Sequence, residues 1–125
     1  MRVPILKQGS YLIASIQAAL TDSDMINLRD DLMNGVGRYR SRGIIIDVTA
    51  LDVLDSFASR SLRNLAHMTA LRGAKTVLVG IQPEVAYAMV QLGLSMEDVA
   101  TALDLEEGLS LLDRELSDLS AERDA

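Results

Sequence analysis

The chain has 125 residues, the size of one domain, so no disulfide or metal is needed to hold it folded. Its net charge of -6 argues against a nucleic-acid binder, which carries a basic patch. The absence of cysteine excludes a disulfide framework, a thiolate zinc site and a cysteine nucleophile, and the lone His67 argues against a transition-metal centre. Neither metal nor cofactor is expected.

Hydrophobic residues make up 49% and aromatic residues 3%, so the core must be built from Leu, Ile, Val, Ala and Met. Met25, Met33, Met68, Met89 and Met96 read as its filling. Residues 11–20 are apolar enough to imitate a signal-peptide core. Lys7 and Gln8 precede them, Gln17 interrupts them, and no convincing cleavage site follows. They read as a strand in a cytoplasmic protein.

Residues 3–7 and 11–17 are apolar runs split by Gln8-Gly9-Ser10, which predicts two strands joined by a tight turn. From Ser23 the period changes. Met25, Leu28, Leu32, Val36 and Tyr39 recur at steps of three or four, the mark of an amphipathic helix capped by Asp22 or Ser23. Arg38, Arg40 and Arg42 close it, where cations suit the helix dipole.

Gly43 opens Ile44-Ile45-Ile46-Asp47-Val48, a continuous run that predicts a strand buried on both faces, and Thr76-Val77-Leu78-Val79-Gly80 repeats the pattern. Between them, residues 56–72 read as a helix with Ala58, Leu62, Leu65 and Thr69 inward and Gly73 as its stop. Pro83 suits the first turn of the next helix. Val85, Ala86, Met89 and Val90 are its predicted inner face, and Gly93 its end. Residues 99–103 predict a short edge strand. Asp104 and Glu107 have capping-box spacing, and Leu105, Leu109, Leu112 and Leu116 face inward on a last helix.

Buried strands alternating with helices imply crossovers. The expected fold is α/β, a mixed and mostly parallel sheet of four to five strands with about four helices. One domain covers residues 1–116, and residues 117–125 form a polar tail.

In such sheets the functional site lies beyond the carboxyl ends of the strands. Two loops qualify, residues 49–57 and 80–84. Ser56 is the residue singled out. A serine at a helix N-cap holds its hydroxyl beside free backbone N–H groups, and a phosphate there gains about 0.3 to 2 kcal/mol from those donors and the dipole. Ser59, one turn on, is the second candidate, and Thr49 reads as the end of a strand. Asp52 and Asp55 would need a pocket and tuned surroundings to act as acid and base, so Asp55 reads as a recognition residue. Arg60 and Arg63 share their helix, and His67 reads as a partly exposed helical residue. No dinucleotide fingerprint, P-loop or nucleophile elbow is present, which argues against a small nucleotide-binding enzyme.

Asp47-Val48-Thr49-Ala50-Leu51-Asp52-Val53-Leu54-Asp55-Ser56-Phe57 resembles the signature segment of STAS domains, the anti-sigma-factor antagonist family. The order of elements agrees with that family's fold. In it the hydroxyl of the Asp-Ser or Asp-Thr pair is the phosphorylation site, here Ser56. Within that family the chain resembles the RsbS type, the single-domain scaffold of the stressosome. Pro4-Ile5-Leu6-Lys7, Gly80-Ile81-Gln82-Pro83 and Ala102-Leu103-Asp104-Leu105-Glu106 carry that likeness. Phe57-Ala58 departs from the small residue and glycine of many free antagonists.

The resemblance implies a non-catalytic scaffold that sequesters a switch kinase and releases it when Ser56 is phosphorylated. The implied partners are an RsbR-like co-antagonist, an RsbT-like kinase and an RsbX-like phosphatase, in a homodimer and a large hetero-oligomer. Asp55, Phe57, Ser59, Arg60, Gln82 and Pro83 are expected to face them. The alternative is a free antagonist that binds an anti-sigma kinase directly.

Overall fold

The hairpin expected at the start of the chain is present in the computed structural model, which describes residues 2–93 and 99–124, with side chains as far as Ser117. Strands β1 (Ile5–Gln8) and β2 (Tyr11–Ser15) pair antiparallel, with Gln8 opposite Tyr11. Only Gly9 and Ser10 lie between them. Gly9 has φ +59, a left-handed conformation that a two-residue hairpin loop demands.

Helix α1 (Asp22–Tyr39) follows, then β3 (Gly43–Asp47), α2 (Ser56–Leu71), β4 (Lys75–Val79), α3 (Pro83–Gln91), β5 (Ala100–Ala102) and α4 (Leu105–Asp124). The sheet order is β1-β2-β3-β4-β5, and every pairing after the first is parallel. The predicted mixed sheet and four helices are therefore observed.

The continuous apolar strands divide their residues between two layers. Leu12, Ala14, Ile44, Ile46 and Leu78 join the core made by α1, α2 and α3. Ile13, Ile45, Val77 and Val79 point to the other face, where Leu112 of α4 packs with them. At about 25 cal/mol per Å² of apolar surface, both layers matter, but the three-helix face is the larger.

Several local expectations need correction. Thr21, not Asp22 or Ser23, caps α1. Its hydroxyl accepts from the Asp24 N–H at 3.1 Å, and Asp24 returns a bond to the Thr21 N–H at 3.1 Å. Tyr39 lies outside, with Lys7 and Arg38 over its ring at 5.8 and 5.4 Å. Ala86 and Val90 are exposed, because α3 is short and touches the core only through Val85 and Met89. The last helix continues through the segment read as a tail, to Asp124. Its start follows the predicted pattern: Asp104 accepts from the Glu107 N–H at 2.9 Å, and Glu107 reaches back to the Leu103 N–H at 3.2 Å. Met25 and Met89 are buried as filling and Met33 and Met68 half-buried, while Met96 lies outside the described residues.

Tyr11 ties β2 to α4. Its hydroxyl donates to Asp113 Oδ1 at 2.5 Å, and partial burial, then the Asp113 carboxylate, push its pKa up to about 12. The folded state thus holds this proton more tightly than the unfolded chain, where the pKa is near 10. Stability from the group is complete below pH 10 and falls as pH rises toward 12. In urea melts, Tyr11→Phe should flatten that alkaline loss relative to wild type. Identical slopes in the two proteins across that window would refute the coupling.

Candidate functional site

The β3–α2 connection is held by alternate anchoring. Leu51 and Leu54 are buried, while Asp52, Val53 and Asp55 between and after them are exposed. The Leu51 N–H donates to the Val48 carbonyl at 2.9 Å, turning the chain at once beyond β3. At the start of the loop, Thr49 donates its N–H and its hydroxyl to Asp47 Oδ1, at 2.9 and 2.5 Å. This side-chain turn frees the backbone from the sheet.

Asp55 ends the loop as the N-cap of α2, accepting from the Ala58 N–H at 2.7 Å. The sequence expectation placed Ser56 there. Aspartate and serine cap comparably well, and the first of the pair takes the position. Ser56 is the first helical residue and half-buried. The N–H groups of the first turn have no partners within the helix, so a negative group on Ser56 would still meet donors and the positive end of the dipole.

The predicted site residues fall into two sets. Asp55, Phe57 and Arg60 are exposed within about a turn of Ser56 in sequence, and Pro83 is exposed as the first residue of α3. Ser59 is not among them: it is 1% exposed and its Oγ is buried. The step of three residues that made it a neighbour of Ser56 carries it under the helix, so it cannot meet a kinase or partner without the helix opening. Gln82 is half-buried and bonded inward, its Nε2 donating to the Thr49 carbonyl at 2.7 Å. It couples the two loops. Arg63 is half-buried and His67 exposed.

Asp47, Thr49 and Gly80 were missed as organising residues. Gly80 has φ +80, and a Cβ built there would lie 1.9 Å from Thr49 Oγ1. The Asp-x-Thr spacing after a strand, with a glycine closing the next strand, was the available signal. Behind the loop lies a cavity of about 50 Å³, lined by apolar groups such as Met25, Leu51, Leu54 and Leu62, with Asp55 at its edge. A dry cavity known to take benzene is about 150 Å³. Asp52 stands on the loop surface while Asp55 caps the helix, so the two carboxylates have no shared pocket.

This geometry defines an α/β domain that presents a serine and a carboxylate at a helix start, beyond the carboxyl edge of a mixed sheet. The STAS domain model matches residues 2–108, and the chain belongs to that family.

Among curated proteins it is similar to the RsbT co-antagonist protein RsbRA of Bacillus subtilis, 33% identical over 96 residues. That match covers 74% of this chain and 35% of RsbRA. RsbRC of the same organism is 33% identical over 83 residues, 66% of this chain and 29% of RsbRC. The chain thus spans about a third of these relatives. Among solved structures, a variant of Moorella thermoacetica RsbS superposes with a TM-score of 0.80 at 34% identity, covering 92% of this chain and 97% of that one. A chain of the stressosome, described as a signal integration and transduction hub, gives 0.78 at 35% identity, covering 90% and 98%. Among the described residues, no helix is long and apolar enough to cross a membrane.

Proposed function

We propose that this chain is a non-catalytic scaffold of a stressosome-like complex, which holds a serine/threonine switch kinase and releases it when Ser56 is phosphorylated. One observation carries the choice of residue. Of the three hydroxyls considered, Ser59 is buried and Thr49, though exposed, gives its hydrogen to Asp47, whereas Ser56 is half-exposed in the first turn of α2. Likeness to RsbS and to the stressosome chain, each over nearly its whole length, supports the scaffold role. Likeness to the RsbT co-antagonists supports an RsbR-like partner and an RsbT-like kinase. An RsbX-like phosphatase resets the serine.

The switch acts through charge. A phosphate adds about -1.5 to -2 beside Asp55, whose carboxylate already occupies the cap. Each unit of charge brought to about 4 Å from a partner carboxylate costs about 4 kcal/mol at an effective dielectric of 20. A penalty of that order weakens binding by about two to three powers of ten. The fold survives, because α2 keeps its cap and buried face.

The test is intact mass after incubation with an RsbT-like kinase and ATP. Wild type should gain one phosphate and Ser56→Ala none. Equal labelling of both, or none of wild type, would overturn the assignment. Size in solution with the RsbR-like protein tests the scaffold role separately. A large mixed particle is expected; a small complex with the kinase alone would make the chain a free antagonist instead.

A further inference from the structure

Ser56 begins a stretch without negative charge. Residues 56–83 hold no aspartate or glutamate, although the chain has 18 in its 125 residues, and the first cations of that stretch are Arg60 and Arg63. Helix α2 puts both on the face of Ser56. At 3.6 residues per turn, steps of four and seven return to within about 40° of the starting direction. Arg60 stands about 6 Å further along the axis. Helical side chains lean toward the N-terminus, so a guanidinium at this position reaches the turn that carries Ser56.

Arg60 is uncommitted in the unmodified domain. It is exposed, and among the described residues neither it nor Arg63 is in an ion pair. Other cations are held, Arg2 by Asp31, Arg29 by Asp30 and Lys75 by Glu115. Of the carboxylates at this end, Asp55 accepts from the Ala58 N–H as the helix cap. Asp52 and Glu84 stand exposed, on the loop before α2 and in the first turn of α3. An acid four residues before a base is the favourable order on a helix. A phosphate on Ser56 supplies that acid, with three strong acceptor oxygens for the donors of the guanidinium.

We infer that Arg60 reads the state of Ser56. In the unmodified domain its guanidinium is offered to a carboxylate of the docked partner. Once Ser56 carries a phosphate, the guanidinium closes on it within the same helix and the partner loses the contact. Release then has two parts, repulsion of the partner's carboxylate and withdrawal of the cation that held it. The partner's matching segment is acidic, because the face it meets offers two arginines and no carboxylate from α2 itself. The inference rests on the switch proposed for Ser56.

The test introduces phosphoserine at position 56 during synthesis of the full chain, so its first part needs no kinase. Titration followed by phosphorus NMR gives the second pKa of the phosphate, ordinarily about 6. It should lie about 0.5 lower with Arg60 present than in Arg60→Gln, as an exposed ion pair requires, and Arg60→Lys should restore most of the difference. Asp52, Asp55 and Glu84 act on the phosphate in all three chains and cancel in the comparison. Arg60 is exposed, and circular dichroism checks that each variant folds. Equal values with Arg60 and in Arg60→Gln would overturn the pairing.

The second part measures binding of the RsbT-like kinase to the unmodified and phosphoserine forms. Arg60→Gln should weaken binding of the unmodified chain about fivefold or more, and should shrink the loss caused by phosphoserine by a similar factor. Unchanged affinity in the variant, or equal losses on modification with and without Arg60, would overturn its role in holding the partner. A kinase that does not bind the unmodified wild type would overturn the switch and this role together, and the phosphorus titration would still decide the pairing on its own.

Discussion

Gly80→Ala is expected to destabilise the domain by about 2–4 kcal/mol, through backbone strain and overlap together. A left-handed conformation costs an L-residue about 1–2 kcal/mol, and Gly80 has φ +80. The added methyl would also meet Thr49, at 1.9 Å from Oγ1, 3.0 Å from Cβ and 3.1 Å from Cα. A hydroxyl can rotate aside but the Cα cannot, so the β3–α2 connection must shift. Thr49→Ala should recover only part of the loss, because the backbone contact and the strain remain. Urea melts decide the matter: the midpoint should fall without a change in slope. A loss below about 1 kcal/mol would show that the two loops yield easily, and that Gly80 does not fix the approach to Ser56.

Leu112→Ala should cost about 2–5 kcal/mol, within the range for large-to-small changes in a core. Leu112 is fully buried and is the centre of the smaller layer, against Ile13, Ile45, Val77 and Val79. It also lies directly on β3: a Cβ on Gly43 would come within 2.8 Å of its Cδ1. No side chain from that strand position can move in to fill the space. The measurement is again the urea midpoint, with limited proteolysis alongside. Cleavage within α4 should appear at lower urea than cleavage of α2. Simultaneous cleavage of both helices would mean that α4 is held by more than this one layer.

The fold was legible because its signals are long-range in character. Ile44-Ile45-Ile46 and Val77-Leu78-Val79 are too apolar for a strand with one wet face, and helical periods fill the gaps between them. What stayed hidden was which face each side chain takes. A strand buried on both sides carries no alternation, so the division of Ile44 and Ile46 from Ile45 could not be read. Caps were ambiguous where cap residues run together, as in Thr21-Asp22-Ser23-Asp24 and Asp55-Ser56, because each offers a short oxygen-bearing side chain. Val90 and Ala86 looked inward by period, but α3 reaches the core over barely two turns. The site was visible as a segment and not as a mechanism. Ser56 could be found by likeness, whereas the link from Gln82 to Thr49 spans 33 residues and needs coordinates.

The strand order has a bearing on how the chain reaches this state. Each strand pairs with the strand just before it in the chain, so the sheet can grow one unit at a time as synthesis proceeds. α4 comes after every strand it covers. Until it arrives, Ile13, Ile45, Val77 and Val79 form a bare apolar stripe on a sheet whose other face is already roofed by three helices. The protein is therefore most adhesive after its sheet has formed and before its last helix packs, and a released chain cut short before Leu105 would display that stripe to every chaperone and neighbour in reach.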